Sequence, residues 1–363
     1  MLCMVACKKS ELAATSPNKS LATSADTSVD VYVAGYIMTG SGTTAAYWKN
    51  GVLTTLGDSL SFSQASGIAV QGNNVYVAGT YGLANEYAVY WKNGVATTLS
   101  PGSYSAEASC IALQGSDVYI GGAIYSITSQ TSNLISTSNQ PVYWKNGVAT
   151  TLPAAALINA ITVNGNDVYI AGVANVTSSN SSTNSGSMAA YWKNGGSPVT
   201  LNNPQSYEAY YASQINAIAV NGTNVYAAGI TGEYPPEYWK NGAATPLTNG
   251  TVTNNANGIA VNGTDIFVVG STPNNGSVSA ATYWKNNVPA ILSTGSVLAP
   301  NSSLFSAAYA IGMNGSDVYI AGEVWDNFTN YDAAYYWKNG VPVQLSNGGG
   351  KGAFATGITV VPK

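Results

Sequence analysis

The chain has no histidine and no arginine, and only 8% of its 363 residues are charged. Without histidine the usual Ser-His-Asp and Cys-His arrangements are impossible, and the commonest metal ligand is missing. Arginine is the preferred bidentate partner of phosphate and carboxylate, so its absence argues against nucleic acid and anionic substrates. Of the 12 lysines, seven recur at one repeated position and three (Lys8, Lys9 and Lys19) sit near the N-terminus, which leaves no basic patch. The net charge of −4 is weak. Three cysteines, Cys3, Cys7 and Cys110, give no disulfide framework. Helical periodicity is missing as well, and no apolar run is long enough to span a membrane.

What is abundant points to strands and turns. There are 39 glycines and 25 tyrosines, and 45% of the residues are hydrophobic, enough for a core. Three short segments recur, and each occurs seven times. YWKN begins at Tyr47, Tyr90, Tyr143, Tyr191, Tyr238, Tyr283 and Tyr336. V-Y-x-A-G begins at Val31, Val75, Val118, Val168, Val225, Ile266 and Val318. I-A-V begins at Ile68, Ile111, Ile161, Ile218, Ile259, Ile311 and Ile358. Spacings of roughly 40 to 57 residues are those of propeller blades.

One unit therefore reads as four strands, A to D: I-A-V, V-Y-x-A-G, A-x-Y-W-K-N-G and V-x-T-x-L. The A–B turn resembles Asn164-Gly165-Asn166-Asp167, and the C–D turn is Asn-Gly, the strongest short hairpin signal. The chain begins with strands B, C and D and ends with strand A alone. Pairing the C-terminal strand with the N-terminal three completes a seventh blade and removes the free edges. The expected fold is an all-β seven-bladed β-propeller, four antiparallel strands per blade, over residues 30–363.

The G-I-A-V…D-V-Y-V-A-G pair resembles the first two strands of NHL-type blades. The W-K-N-G-V-x-T-x-L half resembles the HAF-type repeats of bacterial extracellular proteins. That resemblance covers residues 30–363 and implies a secreted or surface propeller, without supplying a substrate. Met4-Val5-Ala6-Cys7, followed by Lys8-Lys9-Ser10, resembles a bacterial lipobox. Residues 1–7 thus read as a truncated lipoprotein-type signal with Cys7 as the lipidated residue, since the apolar run of residues 1–6 is shorter than a complete h-region. The Ser/Thr/Ala-rich residues 8–29 read as a flexible tether. The location implied is the bacterial cell envelope, on the outer surface or in the periplasm, or otherwise secretion. Any membrane contact is through the lipid alone.

Several motifs are better explained as architecture. Trp48, Trp91, Trp144, Trp192, Trp239, Trp284 and Trp337 suit packing between blades, and Cys110 occupies a slot for small residues as a buried thiol. The Asp or Asn before each V-Y, such as Asp30 and Asn74, reads as a turn residue. The repeated lysines are expected to reach solvent near the C–D turn. Asp326, Asn327, Asn330 and Asp332 are the nearest approach to a metal cluster, without a calcium loop; no metal and no cofactor is expected.

Function is expected where the blades differ. The A–B and C–D turns are short and uniform, whereas the B–C and D–A loops vary, and binding usually resides on such loops. They carry Tyr207, Tyr210, Tyr211, Tyr234, Trp325, Phe328 and Tyr331, the composition of a recognition surface. The leading expectation is a non-catalytic, monomeric propeller that binds a glycan or protein ligand there. The first alternative is a carbohydrate-active enzyme, glycoside hydrolase or lyase, using carboxylates among Glu86, Glu107, Glu208, Glu233, Glu237, Glu323, Asp326 and Asp332. The second is a structural or adhesive envelope protein.

Overall fold

In the computed structural model, residues 28–40, 42–57, 62–82, 86–100, 105–130, 135–177, 185–201, 213–231, 236–247, 255–274, 278–294, 304–326 and 331–363 are described. Among these residues, 28 strands form seven antiparallel four-stranded sheets. With strands numbered β1 to β28 in chain order, the first sheet contains β28 (Gly352–Pro362), β1 (Val29–Met38), β2 (Thr43–Lys49) and β3 (Val52–Thr55), in that order. The C-terminal strand thus closes the ring on the first three, with Val31 paired to Val360 and Val33 to Ile358. The other six blades follow the chain strand by strand.

Strand A of each blade contacts strand A of the next all the way round, which places these strands at the axis. Side chains tie them together. Asn159 donates to the Ile215 carbonyl at 2.8 Å, Asn216 to Ala256 at 2.9 Å and Asn257 to Ala308 at 2.9 Å. Each of these asparagines is the extra residue of a β-bulge in strand A, the device that re-aims a side chain out of the ladder. Across from the bulge stands the glycine of V-Y-x-A-G. At Gly322 an added Cβ would lie 2.0 Å from the Ala307 carbonyl oxygen, so the bulge itself demands glycine there.

The blade interfaces hold the core. All seven repeat tryptophans are fully buried, and Trp337 packs with Leu292 of the preceding blade while donating to the Ser293 carbonyl at 2.7 Å. A ring burying roughly 150–250 Å² at about 25 cal/mol/Å² gives on the order of 4–6 kcal/mol as an upper value. The ring of tryptophans is architecture.

The repeated lysines reach solvent beside the C–D turn, as expected, and are also held in place by neighbours. Each stands over the aromatic ring of V-Y or I-F, with Lys49 5.1 Å from the Tyr32 centroid. Where the turn residue is aspartate, the lysine also pairs with it, as Lys49 does with Asp30 at 2.8 Å. The Asn of WKN completes this clasp in the left-handed conformation (φ 51° at Asn50). Asn50 accepts from the Val31 N–H at 2.9 Å and donates to Asp30 at 2.8 Å. Val31, Tyr32, Lys49, Asn50 and Asp30 are therefore one structural unit on the uniform-turn face, the face at which the chain enters β1.

Candidate active site

A cavity of about 290 Å³ lies between the sixth blade and the seventh, on the variable-loop side. The sixth blade comprises β20 (Asn255–Asn262), β21 (Asp265–Asn274), β22 (Val278–Lys285) and β23 (Val288–Ile291); the seventh comprises β24 (Leu304–Asn314), β25 (Asp317–Asp326), β26 (Tyr331–Lys338) and β27 (Val341–Gln344). The sixth contributes a polar wall of Asn255, Asn257, Ser271 and Ser279, and the seventh contributes Phe305, Tyr309, Glu323, Trp325 and Asp332.

Strand register explains why these side chains meet. Phe305 pairs with Trp325 and Ala307 with Glu323; Trp325 pairs in turn with Asp332, and Glu323 with Ala334. Directly opposed residues share a face, as do residues two apart in one strand, so Phe305, Glu323, Trp325 and Asp332 point the same way. Glu323 and Asp332 occupy diagonal positions, about 7–8 Å apart on antiparallel strands. The Phe305 and Trp325 rings lie 5.1 Å apart at 36°, an aromatic wall beside the two acids.

The acids are held in unusual electrostatic states. Burial raises the Glu323 carboxyl above the ordinary range, the Tyr309 hydroxyl bonded to it pulls the other way, and the nearby Asp332 charge raises it again. Asp332 is raised by burial. Tyr309 donates to Glu323 Oε1 at 2.5 Å, while Oε2 is buried with no hydrogen-bond partner among the described residues. Tyr36 of the first blade, stacked on Phe354 at 4.8 Å, is pushed up to about 12 by burial and then by Glu323 and Asp332. Two carboxyls whose environments differ in depth are the arrangement that separates an acid from a base.

Of the aromatic set expected from sequence, Trp325 lines the cavity. Tyr331 opens β26 opposite Asp326, and only the backbone of these two is described. Tyr207, Tyr210, Tyr211, Tyr234 and Phe328 lie outside the described residues, as do Cys7, Glu208, Glu233, Asn327 and Asn330. The remaining acids are dispersed. Glu86 is exposed; Glu107 accepts from Tyr125 at 3.2 Å in the third blade; Glu237 is buried in the fifth, where Thr231 bonds it. Among the described residues no group of three His, Cys, Asp or Glu could hold a metal. Tyr309 and Phe305 were missed by sequence reasoning, although alignment of the repeats marks Tyr309: Ser66, Ser109, Asn159, Asn216, Asn257 and Thr356 stand at that position in the other blades.

No family model and no curated protein match this chain. The fold is similar to that of a Mycobacterium tuberculosis puromycin-hydrolyzing peptidase, with a TM-score of 0.54 and 10% identity over 84% of this chain and 50% of that one. The chain spans half the length of that structure. Similarity extends to an exo-1,5-alpha-L-arabinanase from a bovine ruminal metagenomic library (TM-score 0.32, 10% identity, 77% of this chain and 95% of that one). It also extends to a Bombyx mori GH32 beta-fructofuranosidase (TM-score 0.35, 8% identity, 91% and 90%). At these identities the likeness shows the fold alone.

The expectation of a non-catalytic module binding a glycan or protein is corrected. That expectation left the acids off the repeat dispersed over the variable loops. Glu323 and Asp332 instead lie on the ends of paired strands, on one face, in one cavity. The enzyme alternative fits these residues better.

Proposed function

We propose that the chain is a glycoside hydrolase acting on a neutral glycan, with Glu323 as general acid and Asp332 as its partner base. The observation that carries this reading is the convergence of the two carboxyls on diagonal positions of one sheet face inside the cavity. Glu323 is the more buried of the two and feels the Asp332 charge, so it keeps its proton to higher pH. In the reaction, the Glu323 proton passes to the glycosidic oxygen as the C–O bond breaks. Asp332 takes a proton from the attacking water, whose oxygen bonds to the anomeric carbon. With Asp332 as base toward water, the reaction is of the inverting kind, which needs room for that water between the two carboxyls.

The rest of the cavity supports a sugar ligand. Phe305 and Trp325 offer apolar rings, and Asn255, Asn257, Ser271 and Ser279 offer hydrogen-bonding groups, the mixture typical of small-molecule sites. Neutrality follows from the charge of the lining, whose ionisable acids Glu323 and Asp332 would repel an anionic sugar. The seven repeat lysines lie in clasps on the opposite face, and Lys363 pairs with Asp30 there. Export rests on the lipobox-like Met4–Cys7 and on the resemblance to HAF-type and NHL-type repeats. With Cys7 lipidated, a tether joining β1 at the uniform-turn face would leave the cavity facing away from the membrane.

The test is product analysis with a panel of neutral polysaccharides and, in parallel, polyuronates. Reducing ends released from a neutral member alone, with the α/β anomer ratio of fresh product inverted by NMR, support the proposal. Release from polyuronates alone, or from none of the panel, counts against it.

A further inference from the structure

We infer that Tyr309 is the positioning residue of Glu323, holding one carboxyl oxygen and thereby fixing the orientation of the proton-donating carboxyl at the cavity wall. This rests on the hydrolase reading above, but the geometry behind it is independent of any substrate. Tyr309 is the extra residue of the β24 bulge, where the register shifts between Ala308 and Ala310. The same bulge recurs in every blade, and its residue is elsewhere small or an amide: Ser66, Ser109, Asn159, Asn216, Asn257 and Thr356. Where these side chains are seen to bond, they hold the ring together. Asn159, Asn216 and Asn257 each reach the next blade's strand A, and Thr356 reaches the Ala65 carbonyl at 2.8 Å.

Tyr309 breaks this pattern. It turns to its own blade and donates to Glu323 Oε1 at 2.5 Å. Glu323 is itself an exception, aligned with Tyr36, Thr80, Ala123, Val173, Ile230 and Ser271 in the other blades. Two departures from a seven-fold repeat thus meet in one contact, and both line the cavity. With Oε1 occupied, Oε2 is the oxygen left without a hydrogen-bond partner among the described residues. A hydroxyl donating to a carboxylate favours its ionised form, so Tyr309 also opposes burial and the Asp332 charge, which keep the proton on Glu323. The titratable groups facing Glu323 are Tyr309 from β24, Asp332 from β26 and Tyr36 from β1; Asn255 and Asn257 from β20 are uncharged.

The experiment uses the full chain labelled with ¹³C at glutamate Cδ. The chain has seven glutamates, and the resonance missing from Glu323→Gln identifies Glu323. Its titration midpoint is then compared in wild type, Tyr309→Phe, Tyr309→Asn and Asp332→Asn. Tyr309→Asn restores the residue of the fourth, fifth and sixth blades and guards against a variant that fails to fold. Both Tyr309 variants are expected to move the midpoint upward, by about one pH unit or more, the scale of a lost charge-assisted hydrogen bond. Asp332→Asn is expected to move it downward. An unchanged or lowered midpoint in the folded Tyr309 variants would overturn the assignment. The titration needs no substrate, so a chain that hydrolyses nothing fails the hydrolase reading alone. Where a substrate is turned over, the alkaline limb of kcat/KM should follow the same shift.

Discussion

Glu237 offers a stability test with a defined sign. Its position, directly before YWKN, holds Ala46, Val89, Val142, Ala190, Thr282 and Tyr335 in the other blades. The carboxyl is 2% exposed, and burial pushes it up to about 7 despite the Thr231 hydrogen bond. Below the ordinary glutamate value of 4.5, folded and unfolded chains are both protonated there and nothing is gained or lost. As pH rises from that value to about 7, the unfolded chain ionises first and the folded chain loses stability, which then levels off. A displacement of this size, at 1.36 kcal/mol per unit, is worth about 3 kcal/mol. For a domain of this length that is on the order of 4 °C in Tm. Thermal and urea unfolding of wild type and Glu237→Gln should therefore coincide within error near pH 4.5 after correction for the substitution. They should diverge by that amount, with the variant the more stable, at pH 8. Parallel curves from pH 4.5 to 8 would refute the reading of Glu237 as a carboxyl buried in its neutral form.

Trp337→Ala should cost about 3–5 kcal/mol, the range for emptying a buried aromatic site, read as a lowered urea midpoint. Gly322→Ala sets a Cβ 2.0 Å from the Ala307 carbonyl oxygen, so it should lower Tm and also displace Glu323, seen as a shifted Glu323 resonance. Asp30, lowered to about 2 by Lys49 and Asn50, stabilises the fold above its ordinary value, and that contribution fades as pH falls towards 2. Asp30→Asn should remove this acid dependence at a cost under about 1 kcal/mol near neutrality. Asn74 already serves the same clasp in the second blade, accepting from Asn93 at 2.8 Å. Unfolding at pH 2.5, 4 and 7 checks it.

The sequence made the ring legible because a propeller repeats its constraints. Seven YWKN and V-Y-x-A-G segments gave the strands, and their phase placed β28 beside β1. The reasons for several repeated letters were less visible. Gly322 and its equivalents look like ordinary strand glycines until the bulge opposite is seen, and the exposed lysines show their pairing only once Asp30 and Tyr32 are placed under Lys49. The candidate site was half legible. Glu323 and Asp332 stood out as acids off the repeat, but nine positions of sequence separate them, and only the register across β25 and β26 sets them on one face. Trp325 was expected at a recognition surface and lines the cavity, whereas Tyr309 was overlooked because a single tyrosine in a chain with 25 carries little signal. Its meaning appears when it is compared with the Asn and Ser of the other bulges.

The most direct test of carboxylate chemistry at this cavity is reducing-sugar release by wild type, Glu323→Gln and Asp332→Asn, side by side on the best neutral substrate. Far-UV circular dichroism and Tm verify the fold of each. Loss of kcat by roughly 10²–10⁴-fold in each variant, the range for removing a general acid or base, is the expected result. Folded variants that retain wild-type turnover would contradict it.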